Sequence, residues 1–359
     1  MIVFADNRQK QEVINIWKTS FADDSQEFLD LYFKKKYKKE NTLLYLMGKK
    51  VVSCLQMLPY EMTFGDSICK TSYISGAATL PEHKNKGIMG QLLTQAFTEM
   101  RRRGDDFTTL IPQENWLTAF YRKYGYTSCF EYGLTPVAMD FTVENNDFTL
   151  AEINRTNSKK AFDYYSQYCK KQNLFVLKTY KDFLIIWEEL QLFGGSIFVC
   201  FRQDTVCGIA FCSPNKEKLI IKDLIAKEET IQKQLLLTIG EKYAGKEIFL
   251  FRQADNSKEA ATLGMARILH GENVLKKYAA CFPHLEIALQ LTDRHIPENN
   301  GVFRLSQGKC IPLEKNNIYN LSVDISLLTQ LVLGYQTDKL PLEYQMFPQR
   351  HPYMSLMLD

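Results

Sequence analysis

Residues 75–93, SGAATLPEHKNKGIMGQLL, constrain this chain more than any other stretch. They read as a strand, then a basic glycine-containing turn, then the first turns of an amphipathic helix. That order leaves unpaired backbone N–H groups and positive charge at one point, where the phosphates of a ligand can sit. Gly87 permits close backbone approach, and Lys84 and Lys86 add charge. Taken alone, an ordinary strand–loop–helix with a charged surface loop has the same pattern.

The 359 residues exceed one ordinary compact core, so more than one domain is expected. A chain that is 45% hydrophobic and 24% charged is globular rather than disordered. A net charge of +3 is small for this length and does not by itself suggest nucleic acid or a membrane surface as partner; neither is expected. The nine cysteines are scattered without a Cys-x-x-Cys pair, and several lie in apolar, strand-like runs such as 197–201. Free buried thiols in a reducing compartment fit this better than a disulfide framework or a zinc site. The first residues, MIVFADNR, are too poor in apolar residues for a signal peptide, and no run approaches membrane-spanning length. A cytoplasmic protein is expected.

Hydrophobic spacing predicts helices over 9–20 and 26–36, strands over 41–47, 51–60 and 67–80, and a helix from Ile88 to Met100. The apolar face of that helix is Ile88, Met89, Leu92, Leu93, Ala96, Phe97 and Met100, and Arg101–Gly104 closes it. A strand over 107–111 and a helix over 115–124 complete an α/β domain, 1–141. Residues 142–158 read as a linker or exposed hairpin. The order then repeats: helices over 158–171 and 181–192, strands over 196–202, 206–213 and 218–226, a helix over 228–243 and a strand over 247–252. No basic glycine turn lies between Ala226 and Ile231, so 142–262 reads as a degenerate repeat without the ligand loop. Residues 263–359 form a third, α+β unit. It has strands over 265–269, 286–292 and 301–306, helices over 272–281, 324–333 and 342–347, and an apolar tail over 351–359.

Two further features give the turn its meaning. Pro81 precedes it, and Phe120-Tyr-Arg-Lys-Tyr-Gly-Tyr126 follows one strand later. This ordered combination resembles the GNAT acetyltransferases, whose turn is approximately hydrophobic-x-Pro-x-x-Arg/Gln-x-x-Gly-x-Gly/Ala and whose later motif is Leu-Tyr-x-x-x-Gly-Phe. Lys84 stands for the Arg or Gln and Gly87 matches. Met89 replaces the small residue, with Gly90 beside it. The layout is similar to the enhanced-intracellular-survival branch of that family, in which a GNAT domain, a second GNAT-like domain without cofactor and a sterol-carrier-like domain follow one another. The resemblance thus implies tandem GNAT-like domains with mixed central sheets, α/β (α+β) in class, plus a sterol-carrier-like α+β domain.

It also implies acetyl-coenzyme A as acyl donor and an amine, of a polyamine, an aminoglycoside or a protein, as acceptor. The donor would be held by Ala77, Ala78 and Thr79 of the strand, by Lys84, Asn85, Lys86, Gly87, Ile88, Met89 and Gly90 of the turn, and by Phe120. An oxyanion donor is expected among the backbone N–H groups of 77–79. Tyr121 would protonate the departing thiolate, because a phenol of pKa ~10 is protonated at neutral pH. The α-carboxylate of Asp359 is the candidate base, with Glu114 as the alternative; a packing-only tail and a solvated helix-start carboxylate are their bland counterparts. The five histidines have no metal spacing, and no metal is expected. A homo-oligomer is implied by the resemblance. Two other classes remain open: a double-GNAT aminoacyl transferase using charged tRNA, for which a basic face would be expected, and a non-catalytic binder of acyl-CoA or lipid.

Overall fold

Strands and helices fall close to where hydrophobic spacing places them in a computed structural model, which describes every residue except 140, 141, 143–146, 254–259, 315, 358 and 359. The chain starts with β1 (Ile2–Phe4), α1 (Lys10–Ser20), α2 (Gln26–Lys35), β2 (Thr42–Met47), β3 (Lys50–Phe64) and β4 (Ser67–Thr79). Next come α3 (Ile88–Arg102), β5 (Phe107–Leu110), α4 (Asn115–Arg122) and β6 (Thr127–Pro136). β1 to β4 pair antiparallel in sequence order, and β5 lies parallel to β4 after the α3 crossover. The apolar stripe of α3 (Leu92, Leu93, Ala96, Phe97, Met100) packs on Leu43, Leu55, Met57 and Ile74 of this sheet. An amphipathic helix over a sheet is stabilised by this burial, at roughly 25 cal/mol per Å².

By internal packing the described residues divide into two units, residues 1–130 with 262–352 and residues 131–261 with 353–357. The second unit continues with β7 (Phe148–Glu152), α5 (Ser158–Lys171), β8 (Val176–Leu177) and α6 (Tyr180–Leu192). It adds β9 (Ser196–Arg202), β10 (Thr205–Pro214), β11 (Lys218–Ala226), α7 (Glu229–Lys242) and β12 (Glu247–Gln253). β9, β10 and β11 are antiparallel, α7 crosses over, and β12 returns parallel to β11. That is the path of β2 to β5 with α3, repeated. Where α3 starts with a glycine, α7 starts with Glu228 and Glu229, so its N-terminus already carries carboxylates.

The first unit is completed by β13 (Ala261–Ile268), which pairs antiparallel with β5 from Met265↔Leu110 to Ile268↔Phe107. α8 (Gly271–Cys281), β14 (Ile287–Thr292), β15 (Gly301–Ser306), β16 (Lys309–Leu313), β17 (Leu321–Asp324) and α9 (Ile325–Leu333) follow. Their sheet has the order β16-β15-β14-β17. A buried ion pair joins the parts: Arg267 Nη2 donates to both oxygens of Asp293 at 2.9 Å, with both side chains fully buried.

Several readings differ from the sequence expectation, which lacked β8, β16 and β17. Residues 342–347 form only a 3-10 turn at Leu342–Tyr344, because Leu342 and Met346 stay exposed and leave no apolar stripe to bury. The 142–158 stretch contains a paired strand, β7, whose partner is β9. β6 was not visible because Gly133 and Pro136 break its alternation. Among the described residues no helix is long and apolar enough to cross a membrane.

Candidate active site

Strand β4 carries the geometry of the site. It pairs with β5 only at Thr71↔Phe107, Ser72↔Thr108 and Tyr73↔Thr109, yet remains paired with β3 as far as Ser53↔Thr79. Beyond Tyr73 its edge toward β5 is therefore free to take another extended segment as a pseudo-strand. Opposite Leu55 the register slips, and Gly76 adopts φ +56°. A left-handed glycine opposite one residue too few is a β-bulge, which re-aims the strand that follows it. Ala77, Ala78 and Thr79 lie on that re-aimed stretch. A side chain on Gly76 would meet the Trp17 ring at 2.3 Å.

From Thr79 the chain makes a 3-10 turn at Pro81–His83 and enters α3 through Asn85 at φ 61° and Gly87 at φ 74°. Gly87 is the N-cap residue of α3, no side chain caps the helix, and its first turn has no acidic residue. Elsewhere caps are present: Ser25 accepts from Phe28 N–H at 3.2 Å and Asp324 from Leu327 N–H at 2.7 Å. The first amides of α3, at Ile88, Met89 and Gly90, thus keep their donors for an anion, and a Cβ on Gly87 would find nothing within 4 Å. Lys84, Asn85 and Lys86 are exposed at this mouth. Lys86 Nζ folds back to donate to the Glu82 carbonyl at 2.8 Å, whereas the Lys84 ammonium has no partner among the described residues.

The substitution of Met89 has a packing answer. Met89 packs against the α3 core, while Gly90, one residue on, lies against Tyr124, whose Oη is 1.9 Å from where a Cβ would stand. The small residue is needed where the helix meets Tyr124. Gly87, Gly90, Gln91, Thr94 and Tyr124 line an open groove of about 370 Å³ along α3.

Tyr121 sits near the end of α4, 7% exposed, with its ring 5.2 Å from Phe120 and 5.7 Å from Tyr126. Its hydroxyl has no hydrogen-bond partner among the described residues, and burial pushes its pKa up to about 12. Phe120 bridges Tyr121 and Tyr124, at 5.2 Å from each. Glu114 is the N-cap residue of α4, exposed, and accepts from Trp116 Nε1 at 2.6 Å. Asp359 lies outside the described residues.

The opposite face of β3 and β4 holds a cluster that the sequence reading left in the core. Trp17 Nε1 donates to Asp24 at 2.6 Å, and Tyr32 and Phe33 pack on the Trp17 ring at 4.5 and 5.5 Å. The Tyr32 and Ser75 hydroxyls share a hydrogen bond of 2.8 Å. Gln56 is fully buried there with neither end of its amide partnered among the described residues. Burial raises the Asp24 carboxyl, opposed by the bond from Trp17. The spacing of Trp17 and Phe21 signalled only an apolar helix face, which core packing explains equally well.

A splayed parallel pair and an uncapped helix start leave backbone donors for an extended ligand that carries phosphate. Residues 3–129 match the acetyltransferase (GNAT) domain, and residues 272–339 match the sterol carrier protein domain. The chain carries a GNAT acetyltransferase domain. It is an acyltransferase, of a kind that generally draws its acyl group from coenzyme A. Solved structures with the same fold include a probable N-acyltransferase of unknown function from Enterococcus faecalis, at 16% identity and TM-score 0.79, covering 98% of this chain and 96% of that one. Another is Eis1 from Mycobacterium abscessus, at 14% identity and TM-score 0.78, covering 99% of both chains. A third is a GCN5-related N-acetyltransferase from Anabaena variabilis, at 16% identity and TM-score 0.78, covering 94% and 91%. No curated protein matches the chain.

Among the described residues no group of three or more His, Cys, Asp or Glu is placed to hold a metal ion. All nine cysteines are free, and burial pushes the Cys54 and Cys69 thiols up to about 12. Cys54 and Cys69 stay protonated at neutral pH, which removes their nucleophilic form.

Proposed function

We propose that the protein moves an acetyl group from acetyl-coenzyme A to a primary amine by direct attack in a ternary complex. The observation that carries this is the parting of β4 from β5 beyond Tyr73, directly ahead of the uncapped start of α3. The pantetheine arm adds to the free edge of β4. The pyrophosphate takes the amides of residues 88–90, with Lys84 adding charge. A backbone N–H within 77–79 receives the carbonyl oxygen as it becomes an oxyanion.

The amine attacks the thioester carbon, the C–S bond breaks, Tyr121 gives its proton to the sulfur, and the second proton shed by the attacking nitrogen restores the phenol by way of solvent. An ammonium of reference pKa ~10.4 must first lose a proton. We assign that step to the α-carboxylate of Asp359, and Glu114, tied to Trp116 at the surface, takes second place. Asp24, half-buried against Trp17, is the carboxylate we assign to the acceptor's cation, since an aromatic ring and a carboxylate together favour an ammonium. The reading includes a homo-oligomer working without nucleic acid or membrane, and light scattering tests the copy number.

The test is release of free thiol from acetyl-CoA with a panel of amines: spermidine, kanamycin and a lysine peptide. Turnover with at least one, abolished by adding one glycine after Asp359 while acetyl-CoA affinity holds, is the expected result. Tight CoA binding without turnover of any amine would instead make the domain an acyl-CoA sensor.

A further inference from the structure

The second unit repeats the splayed parallel pair of the first, and a different occupant is in it. β11 and β12 pair from Lys218↔Glu247 to Ile221↔Leu250, after which β11 runs on to Ala226 and β12 to Gln253. A cavity of about 280 Å³ opens between these extensions, lined by Asp223, Leu224, Phe251, Arg252 and Tyr165 among others. By strand order this is the counterpart of the opening between β4 and β5. Tyr353, from the end of the chain, enters it.

The entry is built from both backbone and side chains. Tyr353 N–H donates to the Leu174 carbonyl at 2.9 Å, and Val176 N–H donates to the Tyr353 carbonyl at 3.1 Å. The Tyr353 ring lies 4.8 Å from Phe175 and 6.3 Å from Phe251. Its hydroxyl donates to Asp223 Oδ1, while Ser355 Oγ donates to Oδ2 at 2.8 Å and Tyr165 Oη to the same oxygen at 3.3 Å. Met354 between them is 1% exposed. An ionised carboxylate is acceptor-only, so it can take all three hydroxyl donors at once. The donors and the nearby Lys178 offset part of the cost of burying that charge, although burial still raises the Asp223 pKa.

We propose that this slot is a clamp for the chain's own C-terminal segment, with Asp223 as the positioning residue that holds Tyr353 and Ser355. The acidic start of α7 agrees, since Glu228 and Glu229 repel the phosphates that a nucleotide would bring. The consequence for catalysis rests on the base assigned above: with Tyr353 and Ser355 held, the chain would leave Met357 from a fixed point.

The experiment uses the full chain with Tyr353→Phe, Ser355→Ala and both together, changes that remove hydroxyl donors and little volume. Hydrogen exchange by mass spectrometry should show the amides of residues 353–357 exchanging at least tenfold faster in the double variant, with β9 to β11 unchanged. With the best amine of the panel, kcat should fall at least tenfold and KM for acetyl-CoA stay within twofold. Unchanged exchange in the tail overturns the clamp. If the double variant does not fold, the Ser355→Ala variant carries the same exchange test. Unchanged turnover in the chain extended by one glycine removes the terminal base and leaves the clamp to be decided by exchange. Lost turnover on extension with unchanged exchange in the double variant keeps the base and overturns the clamp.

Discussion

Replacing Tyr121 by Phe removes one oxygen and tests the proposed chemistry directly. A phenol at about 12 stays protonated through the neutral range, so the acid form is always present. Against an ordinary thiol of pKa ~8.5, passing its proton on would be uphill by roughly 5 kcal/mol, at 1.36 kcal/mol per unit. The desolvation that lifts the buried Cys54 thiol to about 12 would also raise the pKa of a departing thiolate shielded from water, which narrows that gap. Matched acidity is where general acid catalysis is most effective, and its loss costs about 10²–10³ in rate, or roughly 3–4 kcal/mol of barrier. Because the hydroxyl has no partner among the described residues, Tyr121→Phe breaks no hydrogen bond and should change stability by less than about 1 kcal/mol. Thiol release at saturating amine should show kcat falling by that factor with KM for acetyl-CoA unchanged. The wild-type rate should have no alkaline limb from Tyr121 below pH ~10. A kcat within threefold of wild type, or an alkaline limb below that pH that vanishes in the Phe variant, would refute the reasoning.

Gly76→Ala puts a methyl group into the Trp17 ring at 2.3 Å and holds alanine at φ +56°, so left-handed strain and overpacking together cost about 2–5 kcal/mol. A urea midpoint unchanged from wild type would contradict the bulge. Asp293→Ala leaves the fully buried Arg267 without its counter-ion and should destabilise by about 3–5 kcal/mol. The pair Arg267→Met with Asp293→Leu should recover most of that in the same denaturation assay, and no recovery would mean that the loss is not electrostatic. Asp105, which accepts from Ser72 Oγ at 2.5 Å, has its pKa raised above the usual carboxylate value by burial. Its contribution to stability is therefore full below pH ~4 and is lost as pH rises through the folded value. The Tm of Asp105→Asn relative to wild type should rise from pH 4 to 7, and a flat difference would show that the carboxyl is not buried at cost.

Much of the site is legible because its chemistry is local. Gly87, Lys84 and the apolar stripe of α3 lie within a few residues of one another, and helix geometry alone turns them into a row of open amides. Tyr121 is equally local to its helix. Other parts depend on residues far apart in sequence. The aromatic spacing of Trp17 and Phe21 shows which way α1 faces, yet the role of Trp17 becomes visible only where Gly76 and Asp24 meet it. Met89 looks like a departure until Tyr124 is seen against Gly90.

The sequence by itself determined the order of most strands and helices, the basic glycine turn ahead of α3 and the lack of such a turn ahead of α7, since each follows from periodicity, glycine and charge over short spans. Only the tertiary structure decided where β4 parts from β5, that β13 pairs with β5, and that Asp223 gathers three hydroxyls. One of these, from Tyr353, belongs to a residue 130 positions away. Sheet register and buried hydrogen bonds join residues by proximity in space, and nothing in local backbone preference encodes which distant partner will arrive.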